Sequence, residues 1–313
     1  MAESDPADGG IDVVVIGSIN VDLVTRVEHY ARPGETVLGS SITRLAGGKG
    51  ANQALAAVRA GARTRLIACV GDDAEGAALV HGLALRCVDM SRVRRTPSAP
   101  TGTAVIAVDG SGESTIVVVA GANGEVSVAD VDLTGARVLL TQLEIPLSVV
   151  SSAVRRAAAE GVRVVLNPSP YADLPDDVIA AADPVIANEH EREAFAVPPR
   201  SLVTTLGAKG ARWETASGEV IEVAAPEVAK VVDATGAGDA FAGTLAAALA
   251  AGHTERVALE AAIAAGSEAV TVHCAQGWSL TCRGPERAAA RAASLIVEKV
   301  VVPAQCRWLR RRS

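Results

Sequence analysis

Short runs of apolar and β-branched residues alternate with longer alanine-rich or amphipathic stretches along most of the chain. Each short run, such as residues 11–16, has the pattern of a strand in a parallel sheet that is covered on both faces. The predicted strands are residues 11–16, 65–70, 138–141, 162–166, 184–188, 201–206 and 230–233. The predicted helices are residues 51–60, 74–85, 147–160, 176–182, 189–197, 236–251, 255–268 and 285–300. This alternation predicts an α/β fold with a doubly wound, mostly parallel central sheet.

Two segments interrupt the alternation with a pattern of short strands only. Residues 23–45 alternate around a Pro-Gly turn, and residues 102–119 hold two β-type runs around Asp-Gly-Ser-Gly-Glu at 109–113. A turn of that composition between two β-type runs is a strong hairpin signal. These segments therefore predict β structure outside the alternating part of the chain.

The crossover between the strands at 184–188 and 201–206 is unusually short. Its twelve residues, 189–200, are about the minimum for a connection between parallel strands. We therefore expect one short helix there, ended by Pro198 and Pro199.

Composition and charge narrow the classes of function. A formal net charge of −7 argues against a general nucleic-acid or membrane surface, because such surfaces need clustered positive charge. Residues 1–10 lack the basic and apolar regions of a signal peptide, and no apolar stretch reaches the length of a membrane span, so a cytoplasmic protein is expected. We expect a disordered tail at 1–10, a single domain at 11–300 and a second tail at 301–313.

The first candidate site is the glycine-rich turn at residues 236–238, which precedes a predicted helix. Its glycines allow a sharp turn that brings the amides of Gly236, Ala237 and Gly238 against a ligand, and the helix directs its unpaired N–H groups to the same place. These features predict an anion site. Asp239 would repel a phosphate there unless it serves as the base for an incoming hydroxyl. The alternative is an aspartate that only favours the first turn of a helix.

A second glycine-rich segment, Gly-Gly-Lys-Gly-Ala-Asn-Gln-Ala at residues 47–54, also opens a predicted helix. It is not a Walker A loop, because Thr43 stands at the first glycine position of G-x-x-x-x-G-K-[ST] and Gly50 stands at its last position. Any phosphate chemistry must therefore use another design.

Polar residues also follow two of the predicted strands. Asn20 and Asp22 come after residues 11–16, and Glu144 comes after residues 138–141. Ligands of open α/β sheets bind beyond the carboxyl ends of the strands, which predicts a site for a polar substrate. An Asx turn at 20–22 and a solvated loop charge at 144 are the alternatives.

Together the two glycine-rich segments resemble the two signatures of the ribokinase-like carbohydrate kinases, the PfkB family. Supporting segments follow in the family's order at residues 17–22, 33–37, 120–123, 142–144, 167–170, 188–191 and 205–210. Each segment alone is a weak signal, but the ordered set is a strong one. The resemblance implies a ribokinase-like fold in which residues 23–45 and 102–119 form a small β-sheet lid. Such lids exclude water from phosphoryl transfer.

The resemblance also implies roles for individual residues. Asp239 would be the catalytic base in contact with the substrate, and the amides of residues 236–238 would neutralise charge on the transferred phosphoryl group. The residues implied to orient the sugar are Asn20, Asp22, Gly48, Lys49, Asn52 and Glu144. The residues implied to contact ATP are Asn188, Thr205, Gly207, Gly210 and Gly238.

Two metal sites are implied in the same way. Glu191 would order Mg²⁺ through water, which suits an ion that prefers oxygen ligands and keeps several waters. The residues implied to bind a monovalent cation such as K⁺ are Asp233, Thr235, Ala269, Cys274 and Ser279. The chain departs from the family's pattern there, because Trp278 stands at the position of the family's serine and Ser279 follows one place later.

The activity implied by the resemblance is transfer of the γ-phosphoryl group of ATP to the 5-hydroxyl of D-ribose by a homodimer. A nucleoside or hexose acceptor remains an alternative, because Asn20 and Asp22 would bind the hydroxyls of a free pentose and of a nucleoside alike. A sugar- or nucleotide-binding protein without turnover is the alternative of another class, and an intact Asp239 weighs against it. The expected partners are a sugar and ATP, without nucleic acid or membrane.

Overall fold

The computed structural model describes residues 10–111, 113–193, 195 and 198–272. The predicted helix at 285–300 and the predicted tail at 301–313 lie outside the described residues. The strands of the described part are β1 Val13–Ile16, β2 Asn20–Arg26, β3 Ser41–Gly47, β4 Thr64–Gly71, β5 Asp89–Thr96, β6 Gly102–Val108, β7 Ser114–Val119, β8 Val138–Thr141, β9 Arg163–Leu166, β10 Val185–Asn188, β11 Leu202–Thr205, β12 Ala211–Glu214 and β13 Val220–Val223.

The α-helices lie between these strands. They are α1 Lys49–Arg59, α2 Ala74–Ala84, α3 Leu147–Glu160, α4 Asp176–Ala181, α5 Glu189–Glu193, α6 Ala237–Ala250 and α7 Glu255–Ala269. None of these helices combines the length and the apolar character needed to cross a lipid bilayer.

The central sheet has nine strands in the order β13-β12-β11-β10-β9-β8-β1-β4-β5. The seven strands from β11 to β5 in that order pair in parallel, and β12 and β13 add an antiparallel hairpin at one edge. The predicted doubly wound, mostly parallel sheet is therefore confirmed.

Both faces of this sheet are buried, as the apolar runs predicted. In β1, Val13 and Val15 pack into the core that contains α1, α2, α6 and α7, whereas Val14 and Ile16 pack into the core that contains α3 and α4. Successive side chains of a strand point to opposite faces, so a run of four apolar residues covers both layers.

A separate four-stranded sheet, in the order β3-β2-β6-β7, forms the lid. Its β2–β3 and β6–β7 pairs are antiparallel and its β2–β6 pair is parallel. The two segments that the sequence set apart, 23–45 and 102–119, supply most of this sheet, so the small β-sheet lid is confirmed.

Two element predictions were wrong, and one strand was not predicted. Residues 230–233 form no strand, because the amides of Val232 and Asp233 both bond to the carbonyl of Val270 and no strand of the described part continues the ladder. The helix expected at 189–197 ends at Glu193, because Phe195 lies outside the helix. Its ring packs edge-to-face against the ring of Tyr171, with 6.5 Å between the ring centroids. The sequence did not predict strand β5, because its arginines interrupt the alternation of apolar and polar residues that marks a strand.

Candidate active site

Polar side chains meet where the parallel strands end. Ile16 pairs with Thr141, and Thr141 pairs with Leu166, so the segments that follow β1, β8 and β9 start side by side. Further along the same edge, Asn188 and Thr205 are direct partners in β10 and β11. The segments that follow β1, β8 and β9 and the predicted ATP residues Asn188 and Thr205 therefore lie along one edge of the sheet.

Asp239 lies in the first turn of α6 and is only 5% exposed. Its Oδ2 accepts a hydrogen bond from Asn52 Nδ2 at 2.9 Å, and its Oδ1 accepts one from Gln53 Nε2 at 3.0 Å. Both donors lie on α1, which begins at the second glycine-rich segment. The two candidate segments of the sequence thus meet at this carboxylate.

The turn before Asp239 leaves main-chain amides available to a ligand. Gly236 has a φ of 78°, a left-handed conformation that favours glycine, and it caps the start of α6. The Ala237 amide bonds to the Ala234 carbonyl at 3.3 Å, and the first helical donor is Ala240, bonded to the Gly236 carbonyl at 2.8 Å. The amides of Gly238 and Asp239 precede that donor, at the positive end of the helix dipole. This turn can bind an anion.

Glu144 closes the opposite side of the site. Its Oε2 accepts hydrogen bonds from the Lys49 main-chain amide at 3.0 Å and from the Ser18 hydroxyl. The contact of Lys49 with Glu144 is therefore made by its backbone, directly after Gly48. These bonds hold a carboxylate at the start of α1.

Asn20 is 2% exposed, and its side chain is hydrogen-bonded to Asn123. Asn123 Nδ2 donates to Asn20 Oδ1 at 2.7 Å, and Asn123 Oδ1 accepts from the Ile19 amide at 2.9 Å. The orientation of the Asn20 side-chain amide is thereby fixed.

Asp22 adds a third carboxylate. It lies on β2 of the lid sheet, and its carboxyl group packs against Gly47 of β3, where an added Cβ would lie 2.1 Å from Oδ1. Burial, and after it the nearby charges of Glu144 and Asp239, raise the pKa of Asp22 to about 7. A neutral ligand that donates several hydrogen bonds suits such a group of acceptors.

Asn188 and Glu191 interact across the start of α5. The Glu191 amide donates to Asn188 Oδ1 at 2.8 Å, and the Asn188 amide donates to Glu191 Oε2 at 3.0 Å. Thr205 ends the neighbouring strand, and Gly207 and Gly210 bracket the short 3₁₀ helix that follows it. Four of the residues predicted to contact ATP therefore lie at or directly after the ends of the adjacent strands β10 and β11, together with the predicted magnesium residue, whereas Gly238 lies at the start of α6.

Hydrogen bonds bring the three described residues of the predicted cation site close together. Asp233 Oδ1 accepts from the Thr235 amide at 2.8 Å, and the Asp233 amide reaches the carbonyl of Val270, next to Ala269. Cys274 and Ser279 lie outside the described residues. Within the described part, no group of three or more His, Cys, Asp or Glu side chains is arranged to hold a metal ion.

Four residues that build this site were not assigned by the sequence: Ser18, Gln53, Asn123 and Gln142. All four are at most 1% exposed. Each stands in one of the family-like segments, so the only available signal was a polar residue among small or apolar neighbours. Their partners are distant in the sequence, and no local pattern identifies them.

Comparison with known proteins agrees with this geometry. The pfkB family of carbohydrate kinases matches residues 11–281. The ribokinase of Schizosaccharomyces pombe is 36% identical over 295 residues, covering 84% of this chain and 92% of that protein. The ribokinase of Bacillus subtilis is 36% identical over 281 residues, covering 85% of this chain and 95% of that protein.

A solved structure extends the likeness to the fold. The ribokinase of Arabidopsis thaliana, complexed with ribose and ATP, superposes with a TM-score of 0.77 at 28% identity over 85% of this chain and 94% of that one. The family match covers most of the chain, and the two glycine-rich helix starts meet at Asp239. This chain therefore belongs to the pfkB family of carbohydrate kinases.

Proposed function

We propose that this protein is a ribokinase, which transfers the γ-phosphoryl group of ATP to the 5-hydroxyl of D-ribose and releases ribose 5-phosphate and ADP. One observation carries the proposal: a buried carboxylate, Asp239, lies directly behind the main-chain amides of an anion-binding turn. The relatives that are 36% identical over most of the chain are ribokinases. The cytoplasm is the proposed location, since ATP is the phosphoryl donor.

Asp239 acts as the general base in this proposal. Its carboxylate takes the proton of the 5-hydroxyl, the hydroxyl oxygen forms a bond to the γ-phosphorus, and the bond from that phosphorus to the β–γ bridging oxygen breaks. The amides of Gly236 and Gly238 stabilise the charge on the transferred group, and the Ala237 amide can do so only when it leaves its 3.3 Å bond to the Ala234 carbonyl. The Asp239 proton is released after the products leave.

The sugar lies between the lid and the start of α1. Asp22 and Glu144 accept hydrogen bonds from its hydroxyls, and Asn20, Gly48 and Lys49 line the same space. Asn52 Oδ1 is buried without a hydrogen-bond partner among the described residues, so it is an acceptor that a sugar hydroxyl can satisfy.

ATP extends from the turn at 236–238 towards Asn188, Thr205 and the loop at 207–210. Glu191 fits a magnesium ion held mainly by phosphate and water, because only its Oε2 is engaged by the Asn188 amide. When bound, Mg²⁺ neutralises phosphate charge. Asp233, Thr235 and Ala269 are the described residues proposed for K⁺.

The proposal is tested by coupled ADP release with D-ribose, 2-deoxyribose, hexoses and nucleosides, each with and without K⁺. We expect kcat/KM to be highest for D-ribose and to require Mg²⁺. Preferential turnover of a nucleoside or hexose would show that this compound, and not D-ribose, is the acceptor. Sugar binding without ADP release from any acceptor would indicate a binding protein.

Gly47→Ala is expected to raise KM for D-ribose by about tenfold, because the added methyl group would lie 2.1 Å from the Asp22 carboxyl group and must displace it. Steady-state kinetics check this result, with kcat changing less than KM. Gly110→Ala, in the hairpin of the same lid sheet, is the matched control, since its nearest atom is the Glu28 carbonyl oxygen at 3.5 Å. An unchanged KM in Gly47→Ala would contradict the placement of Asp22 in the sugar site.

A homodimer is proposed through the lid. Strand β7 is an edge strand, and Ile116, Val117, Val118 and Val119 are each more than half exposed. Exposed apolar edges of this kind pair with another chain. We expect Ile116→Lys/Val117→Lys, which charges both faces of β7, to convert the dimer to a monomer in light scattering, with Ser114→Lys at the polar end of the strand as the control. A monomeric wild-type protein would rule the dimer out.

A further inference from the structure

The two hydrogen bonds that Asp239 accepts come from donors in different surroundings. Asn52 is partly exposed to the sugar site, whereas Gln53 is fully buried at 0% exposure. A ligand that enters the site can displace the Asn52 amide from Oδ2. It cannot reach the Gln53 amide, so the bond to Oδ1 persists while substrate is bound.

Gln53 is itself held by two further amide side chains. Its Oε1 accepts from Gln142 Nε2 at 2.9 Å, and its Nε2 also lies 3.1 Å from Asn167 Oδ1. Asn167 in turn donates to the Ile186 carbonyl at 3.2 Å. A chain of side-chain amides therefore connects the ends of β8 and β9 to the carboxylate on α6, and Asn167 extends the chain to the main chain of β10.

This arrangement allows only one orientation of the Gln53 amide. Reversal of the amide would place Oε1 against the Asp239 carboxylate and against Asn167 Oδ1, so that two acceptor pairs would face each other. It would also place Nε2 against the donor Nε2 of Gln142. The chain thus fixes a donor towards Oδ1 of Asp239.

One polar atom of Gln142 lowers the stability of the fold. Its Oε1 is buried without a hydrogen-bond partner among the described residues, which lowers the free energy of unfolding. Gly17 makes room for it, because a Cβ at that position would lie 2.2 Å from Gln142 Oε1. An apolar side chain would avoid this cost, but it would leave Gln53 Oε1 unpaired.

We propose that Gln53, oriented by Gln142, is a positioning residue that keeps Oδ1 of Asp239 occupied and leaves Oδ2 as the oxygen that receives the proton of the sugar hydroxyl. The inference rests on the proposed function, in which Asp239 is the base. Asn52 gives up its bond to Oδ2 when the hydroxyl arrives, and the Gln53 bond prevents the carboxylate from turning. The proton then moves from the hydroxyl oxygen to Oδ2.

The test compares Gln53→Met, Gln142→Met and the double variant with the wild type, on whichever acceptor the wild type phosphorylates. Methionine keeps the length of glutamine but donates no hydrogen bond. We expect Gln53→Met to lower kcat by about 10- to 100-fold with KM for the sugar within about threefold. The acidic limb of the kcat profile should move to higher pH, because a carboxylate that loses a donor holds its proton more tightly.

Gln142→Met should change kcat in the same direction, and the double variant should match Gln53→Met within about twofold, since Gln142 acts only through Gln53. Thr64→Val is the control for a lost buried hydrogen bond. Thr64 is 2% exposed, and its hydroxyl donates to the Ala62 carbonyl at 3.1 Å. It is the first residue of β4 and therefore lies at the end of the sheet opposite the site. This variant should lose stability without a change in the pH profile.

Two further measurements keep the test informative. Gln53→Glu preserves the acceptor for Gln142 but places a second carboxyl group against Asp239, so its activity should fall as pH rises and that group ionises. A crystal structure of Gln53→Met should show the Asp239 carboxylate turned from its wild-type orientation, independently of turnover. A wild type that phosphorylates no acceptor contradicts the proposed function alone. An unchanged orientation of that carboxylate, or additive effects of the two methionine substitutions, overturns the positioning role.

Discussion

Asp239→Asn is expected to lower kcat for D-ribose by about 10³-fold or more, while the affinity for the sugar changes by less than about tenfold. General-base catalysis contributes about 10²–10⁴-fold to such reactions, and an asparagine amide cannot accept the proton of the hydroxyl. The structure adds a second loss. Both carboxylate oxygens accept hydrogen bonds, from Asn52 and Gln53, and the NH₂ group of an asparagine would face one of these donors.

The measurement is steady-state kinetics together with calorimetric titration of the sugar. Asp12→Asn is a suitable control, because Asp12 is also a partly buried, hydrogen-bonded carboxylate, paired with Arg63 Nη2 at 2.9 Å. It precedes β1 and therefore lies at the end of the sheet opposite the site. This variant should lose stability and keep its kcat. An Asp239→Asn variant with substantial turnover would remove the base from the proposed mechanism.

The sequence predicted those parts of the fold that depend on local burial. The four apolar residues of β1 are all 0% exposed, so an uninterrupted apolar run correctly indicated a strand between two layers. Strand β5 pairs with a neighbouring strand on one side only. Its exposed arginines make ion pairs, such as that of Arg92 Nη2 with Asp132 Oδ2 at 2.6 Å. An edge strand stabilised by ion pairs carries no apolar run, and the sequence did not reveal it.

The candidate site also has one part that the sequence predicted and one part that it did not. The turn at 236–238 and Asp239 form one continuous segment, so their chemistry could be predicted from spacing and from the properties of helix ends. The Gln53–Asp239 bond joins residues 186 positions apart, and the Gln142–Gln53 bond joins residues 89 positions apart. Contacts of that range arise from the sheet order. A single sequence gives no signal for them.

The electrostatics of Asp22 lead to the second large effect. Asp22→Asn is expected to weaken sugar binding by about 10- to 100-fold at alkaline pH, because a hydrogen bond to an ionised carboxylate is stronger than one to a neutral amide. The wild-type KM should rise as pH falls below about 7, the raised pKa of Asp22, since the carboxyl group then becomes neutral. In the variant this pH dependence should disappear.

The same substitution should stabilise the protein. The pKa of Asp22 is about 7 in the folded protein, against 3.8 as the ordinary value, so folding favours the protonated form. The contribution of Asp22 to the stability of the wild type is fully present below about pH 4 and is lost as pH rises towards about 7. The difference in melting temperature, variant minus wild type, should therefore grow over this interval and stay constant above it.

Asp132→Asn is the control of opposite sign. Hydrogen bonds from Thr134 lower the pKa of Asp132, and the charges of Arg92 and Arg65 act in the same direction, so the ionised form stabilises the fold above the ordinary pKa. This stability is lost as pH falls, and the variant should therefore be less stable than the wild type at neutral pH and approach it in acid. If Asp22→Asn gave the same pH trend, or none, the three carboxylates would not share one site. With the opposite trends expected here, the carboxylate that we propose to bind the sugar would lower the stability of the free enzyme at neutral pH.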